Sequence, residues 1–147
     1  MTYLVDSNVL LRLSQLRSDL RPAALAAVAA LRSQDCDLVF SPQNVLEFWG
    51  VATRPEGVNG LGMSPEEADE SLQSLEDYFT LLPDDARIHD VWRRLVVEVG
   101  VSGRQVHDAR LAAVMLVHAV THILTFNGND FRRYPGVTVV DPRSFIP

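Results

Sequence analysis

The chain has 147 residues, 47% of them apolar and 22% charged, which fits one folded domain with a real core and excludes a disordered polypeptide. Its net charge of −6 argues against a basic nucleic-acid-binding surface, and its single cysteine, Cys36, excludes an internal disulfide. The N-terminus has no basic leader, and the longest apolar run, residues 111–117, falls short of the roughly 20 residues that span a bilayer, so a cytoplasmic protein without membrane contact is the expectation.

Leu4-Val5 reads as a strand ending in the polar turn Asp6-Ser7-Asn8. Val9, Leu10, Leu11 and Leu13 then follow at helical spacing, with Asp6 or Ser7 as the cap. An alanine-rich helix is predicted over 22–32 and a second strand over 37–40. Ser41-Pro42 supplies a cap and a first-turn proline to a helix over 43–53, stopped by Arg54-Pro55. Residues 56–63 hold three glycines and form a loop. Ser64-Pro65-Glu66-Glu67 is a capping box that opens a helix reaching about residue 78. A strand over 79–82, helices over 84–100 and 105–120, a strand over 122–126, a polar loop over 127–130 and a strand over 137–140 complete the pattern. Short strands alternating with helices predict a three-layer α/β/α sandwich with a mainly parallel central sheet, in one domain spanning 1–147.

In open parallel sheets, ligands bind beyond the carboxyl ends of the strands. Four acids from distant segments fall at such places. Asp6 ends the first strand, Glu47 lies about one turn into the helix after the second, Asp108 is near the start of the helix at 105, and Asp130 lies in the loop after the strand at 122–126. Each has a stabilising role available by itself, as a helix cap, a solvated face, a partner of a helix dipole or a turn residue. Their joint placement points to chemistry, because clustered carboxylates repel one another unless a cation holds them. An all-oxygen set suits Mg²⁺ or Mn²⁺, whereas zinc would need closely spaced Cys or His, which Cys36, His107, His118 and His122 do not provide. Two such ions would bring the net charge from −6 to −2 and reverse the local field.

Rival chemistries fail on particular residues. A phosphoaspartate enzyme needs a second aspartate where Asn8 stands, and it and a P-loop enzyme use a lysine, of which the chain has none. Gly57, Gly60 and Gly62 lie between helices, not after a strand, so they form no dinucleotide loop. The dipeptide His107-Asp108 would suit an all-helical metal phosphohydrolase, which the strands contradict.

Leu4-Val5-Asp6-Ser7-Asn8-Val9-Leu10-Leu11 resembles the opening motif of PIN domains, and Val45-Leu46-Glu47-Phe48 resembles their second. His107-Asp108-Ala109-Arg110-Leu111-Ala112-Ala113 is similar to the third, and Thr125-Phe126-Asn127-Gly128-Asn129-Asp130-Phe131 to the fourth. The order and spacing match over essentially the whole chain, and length places the nearest resemblance among VapC toxins of bacterial toxin–antitoxin pairs. That resemblance implies a Mg²⁺- or Mn²⁺-dependent endoribonuclease that cleaves RNA, dimerises and is inhibited by a cognate antitoxin. By motif, Asp6, Glu47 and Asp108 would ligate metal and Asp130 would be the fourth acid, with Ser7 and Asn127 as supporting hydrogen-bonders.

Arg12, Arg104, Arg110 and Arg132 are candidates for RNA phosphate, each also an ordinary surface charge. Trp49 and Trp92 could stack on bases, but their apolar neighbours favour packing. Leu72 and Leu75, on the helix over 64–78, are expected to be exposed and to form a dimer or antitoxin face. The alternative function is a PIN-like module that binds RNA or protein without cleaving, against which the presence of all four acids speaks.

Overall fold

The computed structural model describes residues 1–147. Five strands, β1 (Thr2–Val5), β2 (Asp37–Phe40), β3 (Thr80–Leu81), β4 (His122–Leu124) and β5 (Thr138–Val140), form one sheet in the order β3-β2-β1-β4-β5. Every neighbouring pair is parallel. Six helices cover it: α1 (Ser7–Ser14), α2 (Arg21–Ser33), α3 (Pro42–Thr53), α4 (Pro65–Glu76), α5 (Ile88–Val99) and α6 (Val106–Val117).

The alternation of side chains along each strand builds the two sides of the core. Val5, Leu38, Phe40 and Leu124 point to one face and pack with α1 to α4, through residues such as Leu10, Ala27, Phe48 and Leu72. Leu4, Val39 and Ile123 point to the other and pack with α5 and α6, through Leu95, Ala112 and Met115. The result is the three-layer α/β/α sandwich that the strand–helix alternation predicts. Ala23, Ala24 and Ala27 of α2 and Ala109, Ala112 and Ala113 of α6 are fully or almost fully buried, so these faces approach the sheet closely.

Local chemistry sets the boundaries. Ser41 accepts from the Asn44 amide and Ser64 from the Glu67 amide, each within a reciprocal capping box, so α3 and α4 start where the sequence places them. The helix expected from residue 84 starts instead at Ile88. Asp85 accepts from the Arg87 backbone N–H at 2.8 Å and from its guanidinium at 2.9 Å, a local turn that competes with the helix. At the other end of the chain, Asp141 caps a 3-10 turn, Pro142–Phe145, that the hydrophobic pattern does not mark.

One expectation about exposed side chains is corrected, and the packing expected of the two tryptophans is observed. Leu72 and Leu75 are 8% and 7% exposed and belong to the core under α4, because the apolar stripe of this helix faces the sheet side of the molecule. Trp49 packs against the same core, and Trp92 packs against the other while its indole N–H donates to the Val106 carbonyl at 2.9 Å. No helix is long and apolar enough to cross a membrane.

Candidate active site

The connections leave β1 towards β2 on one side, whereas β4 returns to its other side, so the strand order reverses at β1. A crevice outside the carboxyl ends of the strands is the geometric consequence. Asp6 is the residue that leaves β1 there.

Asp6 is the N-cap of α1, accepting from the Ser7 backbone N–H at 2.8 Å. It does more than cap. Its other carboxylate oxygen accepts from the Thr125 hydroxyl at 2.8 Å and from the Asn8 amide at 3.2 Å. Thr125, at the end of β4, in turn accepts from Asn8 Nδ2 and from the Asn127 backbone N–H, both at 3.0 Å. The Asn8 oxygen accepts from the Phe126 N–H at 3.1 Å. The ends of β1 and β4 are thus tied by side chains through the base of the site.

Glu47, on α3, is joined to this group by Ser7, whose Oγ lies 3.0 Å from Glu47 Oε2 and 3.4 Å from Asp6 Oδ1. Gln43, one turn earlier on α3, donates to Glu47 Oε1 at 3.0 Å and to the His107 carbonyl at 2.7 Å. That second bond anchors the first turn of α6, which carries Asp108. Asp130 closes a 3-10 turn, Gly128–Asp130, whose tight path has no room for a side chain at Gly128: a Cβ there would lie 2.6 Å from Val139.

The electrostatics show that the four acids share one field. Asp6 is buried, and desolvation raises its pKa from 3.8 to about 7, with Glu47 and Asp108 adding to the rise against the hydrogen bonds of Thr125 and Ser7. Asp108, half-buried, is raised to about 6 by desolvation and by the charges of Asp130 and Glu47. None of the three salt bridges in the molecule involves any of these acids. No salt bridge neutralises the cluster, and only the charges of His107 and Arg133 act against the rise at Asp108. No three His, Cys, Asp or Glu side chains stand close enough together to form a preformed ion cage. Repulsion between like charges is the physical reason for such spreading, and a hard divalent cation is the species that would offset it.

The other candidates divide. The Asn127 side chain is exposed, and only its backbone joins the network. Arg110 donates to Gln43 at 3.1 Å and contacts Asp84 at 3.4 Å, beside the site. Arg104 is exposed on the 3-10 turn before α6. Arg12 lies towards the far end of α1 with its guanidinium on Gln15, and Arg132 holds the Asn129 amide oxygen. Sequence reasoning missed Arg133, the arginine that lowers the Asp108 pKa, and the three hydrogen-bonding residues Asn8, Gln43 and Thr125. Gln43 carried a signal, since it stands one helical turn before Glu47.

A family model, the PIN domain, matches residues 3–137. The chain belongs to the PIN domain family. No curated protein matches it in sequence. Solved structures share the PIN fold over nearly the full length. VapBC2 from Rickettsia felis, bound to a DNA fragment from its promoter, has a TM-score of 0.71 at 16% identity, over 96% of this chain and 98% of that one. FitAcB from Neisseria gonorrhoeae gives 0.68 at 20%, covering 97% and 98%. VapC20 from Mycobacterium tuberculosis, a toxin that cleaves the sarcin–ricin loop, gives 0.62 at 16%, covering 88% and 92%.

Proposed function

We propose that this PIN domain is a metal-dependent endoribonuclease and the toxin of a toxin–antitoxin pair, acting in the cytoplasm as a single domain of 147 residues. The observation that carries this reading is the buried Asp6 carboxylate, linked through Ser7 to Glu47 and lying in the field of Glu47 and Asp108, the latter in turn in the field of Asp130. Protein folds do not retain such a charge cluster for stability, since desolvation and repulsion both oppose it.

The donor set fits a hard cation. Asp6, Glu47 and Asp108 would hold Mg²⁺ or Mn²⁺, with Asp130 as the fourth acid. When bound, such an ion supplies a water of lowered pKa as nucleophile and positive charge beside the phosphodiester. The chain's own part is positional. Thr125, Asn8 and Ser7 fix the orientation of the Asp6 carboxylate, while Gln43 fixes that of Glu47 relative to the start of α6. Arg110 stands beside the acids where RNA phosphate would pass, Arg104 is exposed on the turn before α6, and Arg12 is held on Gln15 towards the far end of α1.

The toxin reading is supported by the fold shared with VapC20 and with the toxin–antitoxin complexes from R. felis and N. gonorrhoeae. A surface for the antitoxin is available in the apolar groove between α2 and α4. It measures about 720 Å³ and includes Leu16, 79% exposed, with Leu25 and Tyr78 also exposed. Homodimerisation belongs to the same reading.

The test is cleavage of a labelled RNA panel by purified protein with Mg²⁺, Mn²⁺ or EDTA, beside an Asp108→Asn control. Metal-dependent cleavage absent from the control supports both activity and site. Neither cleavage nor metal binding would leave a non-catalytic binding module.

A further inference from the structure

A second cavity, of about 520 Å³, opens on the face of α5 and α6 next to the acids. Its size falls within the range of small-ligand pockets. Its walls are His89 and Trp92 from α5 and His107 and Arg110 from α6, with Asp85 on the rim. His89 and Trp92 form a tilted aromatic pair with centroids 6.2 Å apart. The Trp92 indole is held in place by its bond to the Val106 carbonyl, so this wall is rigid.

Two links join the cavity to the acid cluster. His107, in its wall, immediately precedes Asp108, and the His107 carbonyl is bound by the same Gln43 that binds Glu47. Arg110 donates to that Gln43 as well. A group seated in the cavity therefore lies one residue from a proposed metal ligand.

The charge balance of the walls selects the type of group. The Arg110 guanidinium is already shared between Gln43 and Asp84, and the Asp85 oxygens are engaged by Arg87. A phosphate would gain little there. A flat, neutral heteroaromatic ring gains stacking on the histidine–tryptophan wall and hydrogen bonds to the remaining Arg110 and histidine N–H groups. We infer that this cavity is a nucleobase subsite, which receives an unstacked base of single-stranded RNA flanking the scissile phosphodiester and so sets cleavage preference. The inference rests on the ribonuclease reading for its substrate.

The experiment uses the full chain carrying Asp108→Asn, so that RNA stays intact, and titrates it with single-stranded pentamers of each of the four ribonucleotides. The Trp92 indole N–H resonance is followed by NMR, with the Trp49 indole as an internal reference. The expected result is a saturable shift of the Trp92 resonance with at least one pentamer while Trp49 stays fixed. His89→Ala weakens that binding about fivefold or more, the lower range for loss of one base–aromatic stack, and His89→Phe restores it. An unmoved Trp92 resonance, or equal affinity in His89→Ala, overturns the subsite. Cleavage by the unsubstituted chain, measured in parallel, separates the two readings. Cleavage with an unmoved Trp92 removes the subsite alone; a shifting Trp92 without cleavage keeps the subsite and removes the catalytic reading.

Discussion

The Thr125 hydroxyl donates to the Asp6 carboxylate at 2.8 Å, across a separation of 119 residues in the chain. Both groups are buried, Thr125 fully and Asp6 to 95%, so the bond is shielded from water. It joins the two central strands at the point where their order reverses and fixes one oxygen of the acid that the site is built on.

Thr125→Val keeps the shape and removes the hydroxyl. Asp6 loses its shortest side-chain bond, and Asn8 Nδ2 and the Asn127 N–H lose an acceptor. The expected outcome is a 10- to 100-fold fall (an order-of-magnitude range) in Mg²⁺ affinity or RNA cleavage. A stability loss of about 1–3 kcal/mol accompanies it. Calorimetric metal titration and denaturant melts check both.

Asp108→Asn leaves the fold intact, since the side chain is only half-buried, and removes a charge from the acid cluster. RNA cleavage falls by about 10²–10³-fold, as for removal of one preorganised electrostatic group from a hydrolytic site. An unchanged circular dichroism spectrum with full cleavage activity would contradict the site assignment.

The metal-free protein loses stability as pH rises from about 4 to about 7. Asp6 titrates at 3.8 when unfolded and at about 7 when folded, so between these values the folded chain holds a proton that the unfolded chain has released. Stability then falls with pH through that window and levels off above it, by on the order of 2–4 kcal/mol. Thermal melts in EDTA across this range should show the slope. Asp6→Asn flattens it, and Mg²⁺ raises the melting temperature of the unsubstituted chain most at the alkaline end.

Gly128→Ala destabilises the fourth corner of the site. The added methyl would lie 2.6 Å from Val139 Cγ1 and 2.9 Å from Arg132 Nη2. Arg132 can swing away but Val139 is on β5, so the turn carrying Asp130 must move. A loss of about 1–3 kcal/mol in denaturant melts is expected.

Leu25→Asp places a charge in the apolar groove between α2 and α4 while replacing a side chain that is 43% exposed. Folding survives, and binding of an antitoxin by pull-down or calorimetry falls by at least about tenfold, the effect of losing one well-placed apolar anchor. Unaltered binding moves the partner surface elsewhere.

Much of this architecture was legible because periodicity reports burial directly. Leu4-Val5, Leu38-Val39-Phe40 and Ile123-Leu124 are continuous apolar runs, as strands covered on both faces must be, and the Ser64 capping box marks the start of α4 unambiguously. The positions of the four acids at strand ends and helix starts followed from that reading. What stayed hidden were contacts between distant segments. Nothing local marks Thr125 as the partner of Asp6, or Asn8 as the bridge between them, because polar residues after a strand read equally well as a turn. The delayed start of α5 was hidden for the opposite reason: Asp84-Asp85 looks like a helix cap, and a short-range bond from Asp85 to Arg87 takes precedence. Leu72 and Leu75 were misplaced because a helix with an apolar stripe does not announce whether a partner or its own sheet will cover it.

β1 is made first, yet one of its edges has no partner until β4 has been synthesised, more than a hundred residues later. Asp6 meets Thr125 only then, and Asp108 and Asp130 also come from the last third of the chain. A growing polypeptide therefore carries no assembled acid cluster while most of it is still being translated. Under the ribonuclease reading proposed above, the four acids would come together only after the last third of the chain has been made.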